Sequence, residues 1–162
     1  MIIHCKNHIL YVDDFQFKCS LGKNGIKTNK KEGDKSTPRG FFKLNKIYFR
    51  KDKIKSLNSL INKKVIKKNM FWCDDPKSRF YNKLITKKIN YSFERLYRND
   101  TKYDVLIEID YNLKKIVKNK GSAIFIHLTK NYKPTAGCIA ISLKDMKILL
   151  KLLKKKNYIK IY

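Results

Sequence analysis

Apolar and polar residues alternate at both ends of this chain and in several short runs between them. Phe15, Phe17 and Cys19 alternate with Gln16 and Lys18. His8 to Val12 precedes them across Asp13-Asp14, so the opening predicts a β-hairpin. Phe41 to Phe49 predicts another strand. So does Tyr103 to Asp110, with Val105, Ile107 and Ile109 on one face and Tyr111-Asn112 as the exit turn. Met70 to Cys73 is apolar and aromatic, closed by the turn signal Asp74-Asp75-Pro76. Ala123 to Ile126 is a short apolar run that delivers His127 at its end, and Cys138 opens a further run through Ile141. Tyr158 to Tyr162 alternates again.

Only one stretch has a helical period. Leu143, Met146, Leu149, Leu150 and Leu153 recur at helix spacing, behind Ser142 as N-cap with Asp145 three residues later. Ser20 to Gly40 reads as a long turn-rich loop holding Gly22, Gly25, Gly33, Pro38 and Gly40, and loops of that length usually serve a function or move. Residues 51–69 carry no assignable pattern. The expected fold is therefore mainly β, a β-rich α+β domain with a C-terminal helix, single and compact over residues 1–162.

Composition fits a globular chain: 162 residues suffice for one core, and 43% are hydrophobic. The formal net charge of +26 is extreme, yet only five of the 39 basic residues are arginine (Arg39, Arg50, Arg79, Arg95, Arg98). A surface shaped to grip phosphate favours arginine's planar fork. Two readings of the charge stand: a lysine-biased coding background, or attraction to an anionic polymer, either nucleic acid or cell-wall material. Dispersed lysines and the lack of any nucleic-acid signature argue against a nucleic-acid binder, which stands as the rival from another class. Cys5, Cys19, Cys73 and Cys138 include no Cys-x-x-Cys pair, and the successive His4 and Cys5, with His8 nearby, would face opposite sides of a strand, so no metal site is expected. An even count of cysteines permits disulfides without requiring them. No apolar run approaches the ~20 residues of a membrane span. After Met1-Ile2-Ile3 the chain turns polar at once, so no signal peptide is expected; a processed form, an unusual export route and action inside the cell remain open.

The stretch from Gly121 to Ile141 carries the chemistry. A strand ends in His127, a ten-residue loop with a Pro134-Thr135 turn follows, and the chain returns through Ala136, Gly137 and Cys138 into a second strand. That path can bring an imidazole and a thiol to one sheet edge, where the imidazole would take the thiol's proton. Gly137 permits a close backbone approach, leaving the amides of Ala136, Gly137 and Cys138 as an oxyanion hole. A buried structural cysteine beside an unrelated histidine fits the spacing equally well.

His127 followed by Thr135-Ala136-Gly137-Cys138 resembles the signature of the YkuD family of L,D-transpeptidases. A second element upstream, Lys31-Glu32-Gly33-Asp34-Lys35-Ser36-Thr37-Pro38-Arg39-Gly40-Phe41, is similar to that family's Thr-Pro-x-Gly-Phe element. Trp72 to Pro76, Tyr81-Asn82, Tyr103-Asp104, Tyr111-Asn112 and Gly121-Ser122 resemble a short, single-domain branch, so the likeness covers nearly the whole chain. Two positions depart from it: Ala136 stands where histidine is more familiar, and Ala140 where arginine or asparagine is frequent.

The resemblance implies a bacterial cell-wall enzyme that cross-links peptidoglycan stem peptides, with Cys138 as nucleophile, His127 as base and no metal or organic cofactor called for. A backbone carbonyl near Leu128 would orient the imidazole. Candidate substrate-binding residues are Trp72, Asp74, Tyr81, Asn82, Gly121, Ser122, Tyr132 and Thr135. Glu94 and Arg95 read as a surface pair. The expected partners are stem peptides, with the chain a monomer in the cell envelope or periplasm. Hydrolysis of stem peptides, or peptidoglycan binding without catalysis, remain as alternatives.

Overall fold

The structure, a computed structural model, describes residues 1–162. The chain opens with β1 (Ile2–Lys6), a strand absent from the sequence expectation, and continues into the predicted hairpin as β2 (Ile9–Val12) and β3 (Phe15–Lys18). The long loop carries only a short parallel pair, β4 (Ile26–Lys27) and β5 (Thr37–Pro38), before the predicted strand β6 (Gly40–Phe49). The unassigned 51–69 stretch is mostly turn around β7 (Lys63–Val65). Next come β8 (Phe71–Cys73), β9 (Leu84–Ile85), β10 (Phe93–Arg95) and β11 (Val105–Ile109), then β12 (Phe125–Leu128) and β13 (Ile139–Ile141). The predicted helix α1 (Leu143–Leu152) and terminal strand β14 (Tyr158–Ile161) close the chain.

Nine strands form one sheet in the order β13-β12-β11-β6-β14-β1-β2-β3, with β7 beside β6. β6 is long enough to join two parts: Gly40 to Lys43 pair with β14, and Leu44 to Phe49 pair with β11. β14 slots between β1 and β6, so the chain's last strand lies inside the sheet. A second sheet, β10-β8-β9, covers part of one face.

That cover explains a departure from the sequence pattern. β11 alternates as if one face met water, but all five of its residues are buried. Val105, Ile107 and Ile109 enter the main core of 26 residues, which also receives Met146, Leu149, Leu150 and Leu153 from α1 and the residue after it. Leu106 faces the other way, into a second core with Tyr48, Met70, Trp72, Leu96, Tyr103, Phe125 and Cys138. Glu108 also points to that side, where the Tyr48 hydroxyl (2.7 Å) and the Asn45 amide (3.0 Å) donate to its carboxylate. α1 starts as its sequence requires: the Asp145 N–H donates to Ser142 Oγ at 3.0 Å, a cap worth about 1 kcal/mol. No helix is long and apolar enough to cross a membrane. All four cysteines are free and buried.

Candidate active site

β12 and β13 run parallel, with His127 opposite Ala140 and Ile126 opposite Ile139. Side chains two apart on a strand share a face, so Phe125 and His127 on β12 lie on the same side of the sheet as Cys138 and Ala140. The histidine and the cysteine of the sequence motif are thereby brought to one face of neighbouring strands, roofed by the second core. His127 is 6% exposed and Cys138 8%.

Each of the two is already engaged. His127 Nδ1 lies 2.9 Å from the Leu128 carbonyl oxygen, which can only accept, so Nδ1 carries the proton and Nε2 is left as a base. The Tyr103 ring meets the imidazole edge-on at 5.3 Å. Cys138 Sγ donates to the Ala123 carbonyl at 3.1 Å and accepts from the Phe125 N–H at 3.4 Å; no hydrogen bond joins it to the imidazole. Burial pushes the Cys138 thiol up to about 12, nearby Glu94 adds to the rise, and the Phe125 N–H and Lys30 oppose it. Burial pushes His127 down to about 4 against the pull of its Leu128 hydrogen bond. Both groups therefore rest neutral at pH 7.

The turn that delivers Cys138 is held from two sides. Thr135 Oγ1 donates to the Cys138 carbonyl at 2.6 Å and accepts the Gly137 N–H at 3.1 Å. The Gly137 amide is thus occupied, and the oxyanion set expected from sequence narrows to the N–H groups of Ala136 and Cys138, which donate to no protein acceptor. Gly137 has φ +145°, and a Cβ there would stand 2.8 Å from the Ser36 carbonyl oxygen, so only glycine fits.

Ser36 belongs to the upstream Thr-Pro element, and the two sequence motifs meet here. The Thr135 N–H donates to the Leu21 carbonyl (2.9 Å), the Lys23 N–H to that of Thr135 (2.9 Å), and the Gly22 N–H to Thr37 Oγ1 (2.8 Å). Ser20 and Ala140 exchange backbone bonds at 2.8 and 2.9 Å. The long loop is a wall of the site, locked to the Cys138 turn by backbone pairing.

The remaining candidate residues split into scaffold and rim. Asn82 is 1% exposed and uses its whole amide: Oδ1 accepts from Trp72 Nε1 (2.9 Å) and the Ala123 N–H (3.0 Å), while Nδ2 donates to the Asn112 (2.7 Å) and Tyr111 (3.2 Å) carbonyls. Asn82 thereby fixes Ala123, whose φ is +52° and whose carbonyl receives the Cys138 thiol. Tyr81 donates to Glu32 at 2.5 Å and accepts the Gly121 N–H at 3.0 Å; Ser122 Oγ donates to the same Glu32 oxygen at 2.7 Å. The polar atoms of Trp72, Tyr81, Asn82, Gly121 and Ser122 are thus spent on the protein itself. Asp74 is half-buried with Oδ1 unpartnered, and burial raises its carboxyl. Tyr132 lies on the loop between His127 and Cys138, its ring under Lys18 Nζ at 4.7 Å.

Glu94 corrects the surface-pair expectation. It lies opposite Trp72 in the small sheet and faces inward, where the Tyr103 hydroxyl donates to it at 2.6 Å and burial raises its carboxyl. Arg95 points away and stays exposed. Lys30 and Glu32, which sequence reasoning did not single out, also border the site. His4 instead pairs with the Tyr162 hydroxyl at 2.7 Å, far along the sheet from Cys138.

A strand-borne imidazole with a free Nε2 thus shares one sheet face with a thiol on a glycine turn that carries two unused amides. The chain belongs to the YkuD family: the family model of the L,D-transpeptidase catalytic domain matches residues 3–161. The family's enzymes act on peptidoglycan. Among curated proteins, none matches the chain.

Proposed function

We propose that this chain is a cysteine L,D-transpeptidase that cross-links peptidoglycan stem peptides, with Cys138 as nucleophile and His127 as general base. The observation that carries the reading is the placement of the two side chains on one face of adjacent parallel strands, with Nε2 of His127 left without a proton. In the first half-reaction the Cys138 proton passes to Nε2 while sulfur attacks a stem amide carbonyl. The Ala136 and Cys138 amides hold the oxyanion. Collapse breaks the C–N bond, the imidazolium returns its proton to the leaving amine, and a thioester remains on Cys138. An amine of a second stem then attacks the thioester carbon, gives its proton to His127, and leaves as the new amide; that proton restores the thiol. Water in the amine's place would give carboxypeptidase action. The substrate is an envelope polymer, so the reading carries the cell envelope as the place of action.

Intact-mass analysis of the protein with purified disaccharide-peptide stems, beside Cys138→Ala, tests this. Cross-linked dimers and a transient Cys138 adduct from the wild type alone are expected. Shortened stems without dimers would replace the transferase with a hydrolase. A folded wild type giving neither adduct nor product would overturn the catalytic reading.

A further inference from the structure

The chain has dozens of lysines, yet Lys30 is the one that is buried, at 5% exposure with its side chain at 3%. Burying an ammonium is costly unless it is paired, and here the pairing is built in. Lys30 Nζ donates to Asp34 Oδ1 at 2.7 Å and to the Lys31 carbonyl at 3.3 Å. Asp34 is fixed in turn by the Ser36 N–H on Oδ1 and the Lys31 N–H on Oδ2, both at 2.9 Å.

Gly121 makes room for this side chain, and the ammonium lies against Gly137, the residue before Cys138. A Cβ on Gly121 would stand 2.8 Å from Lys30 Cε, and a Cβ on Gly137 would stand 3.5 Å from Nζ. One bond length further places the ammonium within about 5 Å of the Gly137 Cα, on the turn that carries the two amides without an acceptor. No such pattern arises from a lysine-rich coding background, which fills surfaces.

We propose that Lys30 is a positioning residue for the nucleophile: its buried ammonium, held on the Gly137 turn by Asp34, favours the negative charge that gathers on Cys138 Sγ and on the adjoining oxyanion. Across about 6–10 Å at an effective dielectric of about 20, a unit charge changes a thiolate population by one to two powers of ten, and the Asp34 partner reduces that. The groups facing the thiol are few. Glu94 on β10 opposes ionisation, Tyr103 and His127 are neutral, and Lys30 alone among them assists it. The proposal rests on Cys138 being the nucleophile.

The test is the rate of Cys138 alkylation by iodoacetamide against pH, followed by peptide mass so that Cys5, Cys19 and Cys73 do not interfere. It involves no peptidoglycan chemistry, so its failure and that of the transpeptidase reading are distinguishable. Lys30→Met is expected to lower the rate at fixed pH about tenfold by moving the profile alkaline, and Lys30→Arg to restore most of it. Asp34→Asn leaves the cation with no counter-charge and is expected to raise the rate several-fold. A knot that merely braces the loop predicts that Lys30→Met and Asp34→Asn change the rate in the same direction, or not at all; either result overturns the proposal. Should Lys30→Met fail to fold by circular dichroism, Asp34→Asn decides alone: a faster reaction supports the proposal, and an unchanged or slower one overturns it.

Discussion

Replacing Asn82 with leucine, which keeps four side-chain heavy atoms, should cost this protein a large part of its stability. The side chain closes four hydrogen bonds at 2.7 to 3.2 Å in a site only 1% exposed. Leucine would leave Trp72 Nε1 and the Ala123 N–H as buried donors with no acceptor, at about 1–3 kcal/mol each. The Tyr111 and Asn112 carbonyls would lose donors too, with a smaller penalty because carbonyls tolerate under-satisfaction better. Asn82 also has φ +55°, a conformation asparagine accepts and leucine enters at about 1 kcal/mol. After allowance for relaxation the sum is about 4 kcal/mol, against a typical total of 5–15. Trp72 is the only tryptophan and is itself a partner, so its fluorescence through a urea titration reports the change directly. With a slope of about 2.5 kcal/mol per molar, the midpoint should fall by about 1.5 M. Asn82→Gly relieves the backbone but not the lost bonds, so it should still cost about 3 kcal/mol. A loss below about 1 kcal/mol for Asn82→Leu, with unchanged slope, would refute the view of Asn82 as the hub beneath Ala123.

Two further outcomes are expected. His127 binds its proton far less readily when folded (about 4) than the ordinary imidazole at 6.5, so the unfolded chain holds more protons between those values. Stability is then full above pH 6.5 and falls as pH drops towards 4, by about 3 kcal/mol in all; His127→Asn should flatten that limb of the unfolding profile, and an unaltered limb would contradict the buried neutral imidazole. Thr135→Val removes both the donor to the Cys138 carbonyl and the acceptor of the Gly137 N–H, so acyl-enzyme formation should slow about tenfold and Thr135→Ser should recover it. Equal burst rates in all three proteins would mean that the Ser20–Thr37 wall holds the turn unaided.

Strands with their own period, such as β3 and β11, were legible because alternation survives in a single sequence, and α1 because both its cap and its stripe are local. β1 was not assigned although Ile3 and Cys5 alternate with His4 and Lys6, because the run is short and its place is set by β14, some 150 positions away. β9 and β10 are two and three residues long and exist through pairing with β8, which no window of sequence contains. The candidate site divides in the same way. His127 and Cys138 stand in one short motif, but Glu94 looked like a surface residue because the depth of its strand depends on Trp72 opposite. Lys30 is one of many lysines, and only burial distinguishes it. Gly137 was legible as a glycine turn, whereas the capture of its amide by Thr135 required the turn's actual geometry.

The resting arrangement argues for a nucleophile that is switched on by its own substrate. A thiol bonded to the Ala123 carbonyl and an imidazole turned on the Leu128 carbonyl are each satisfied within the protein, and burial keeps both neutral. An ion pair formed in advance would have to survive beside Glu94 in a nearly dry pocket, which its desolvation opposes. A carbonyl oxygen arriving at the free Ala136 and Cys138 amides alters that balance, because it gives the departing charge somewhere to go as the sulfur bond forms. On the proposed mechanism, proton transfer to His127 and attack by sulfur therefore occur together. The fold's contribution is to hold acceptor, base and amides in place before the charge appears: Asn82 beneath Ala123, Leu128 behind the imidazole, and Thr135 with the upstream loop around Gly137.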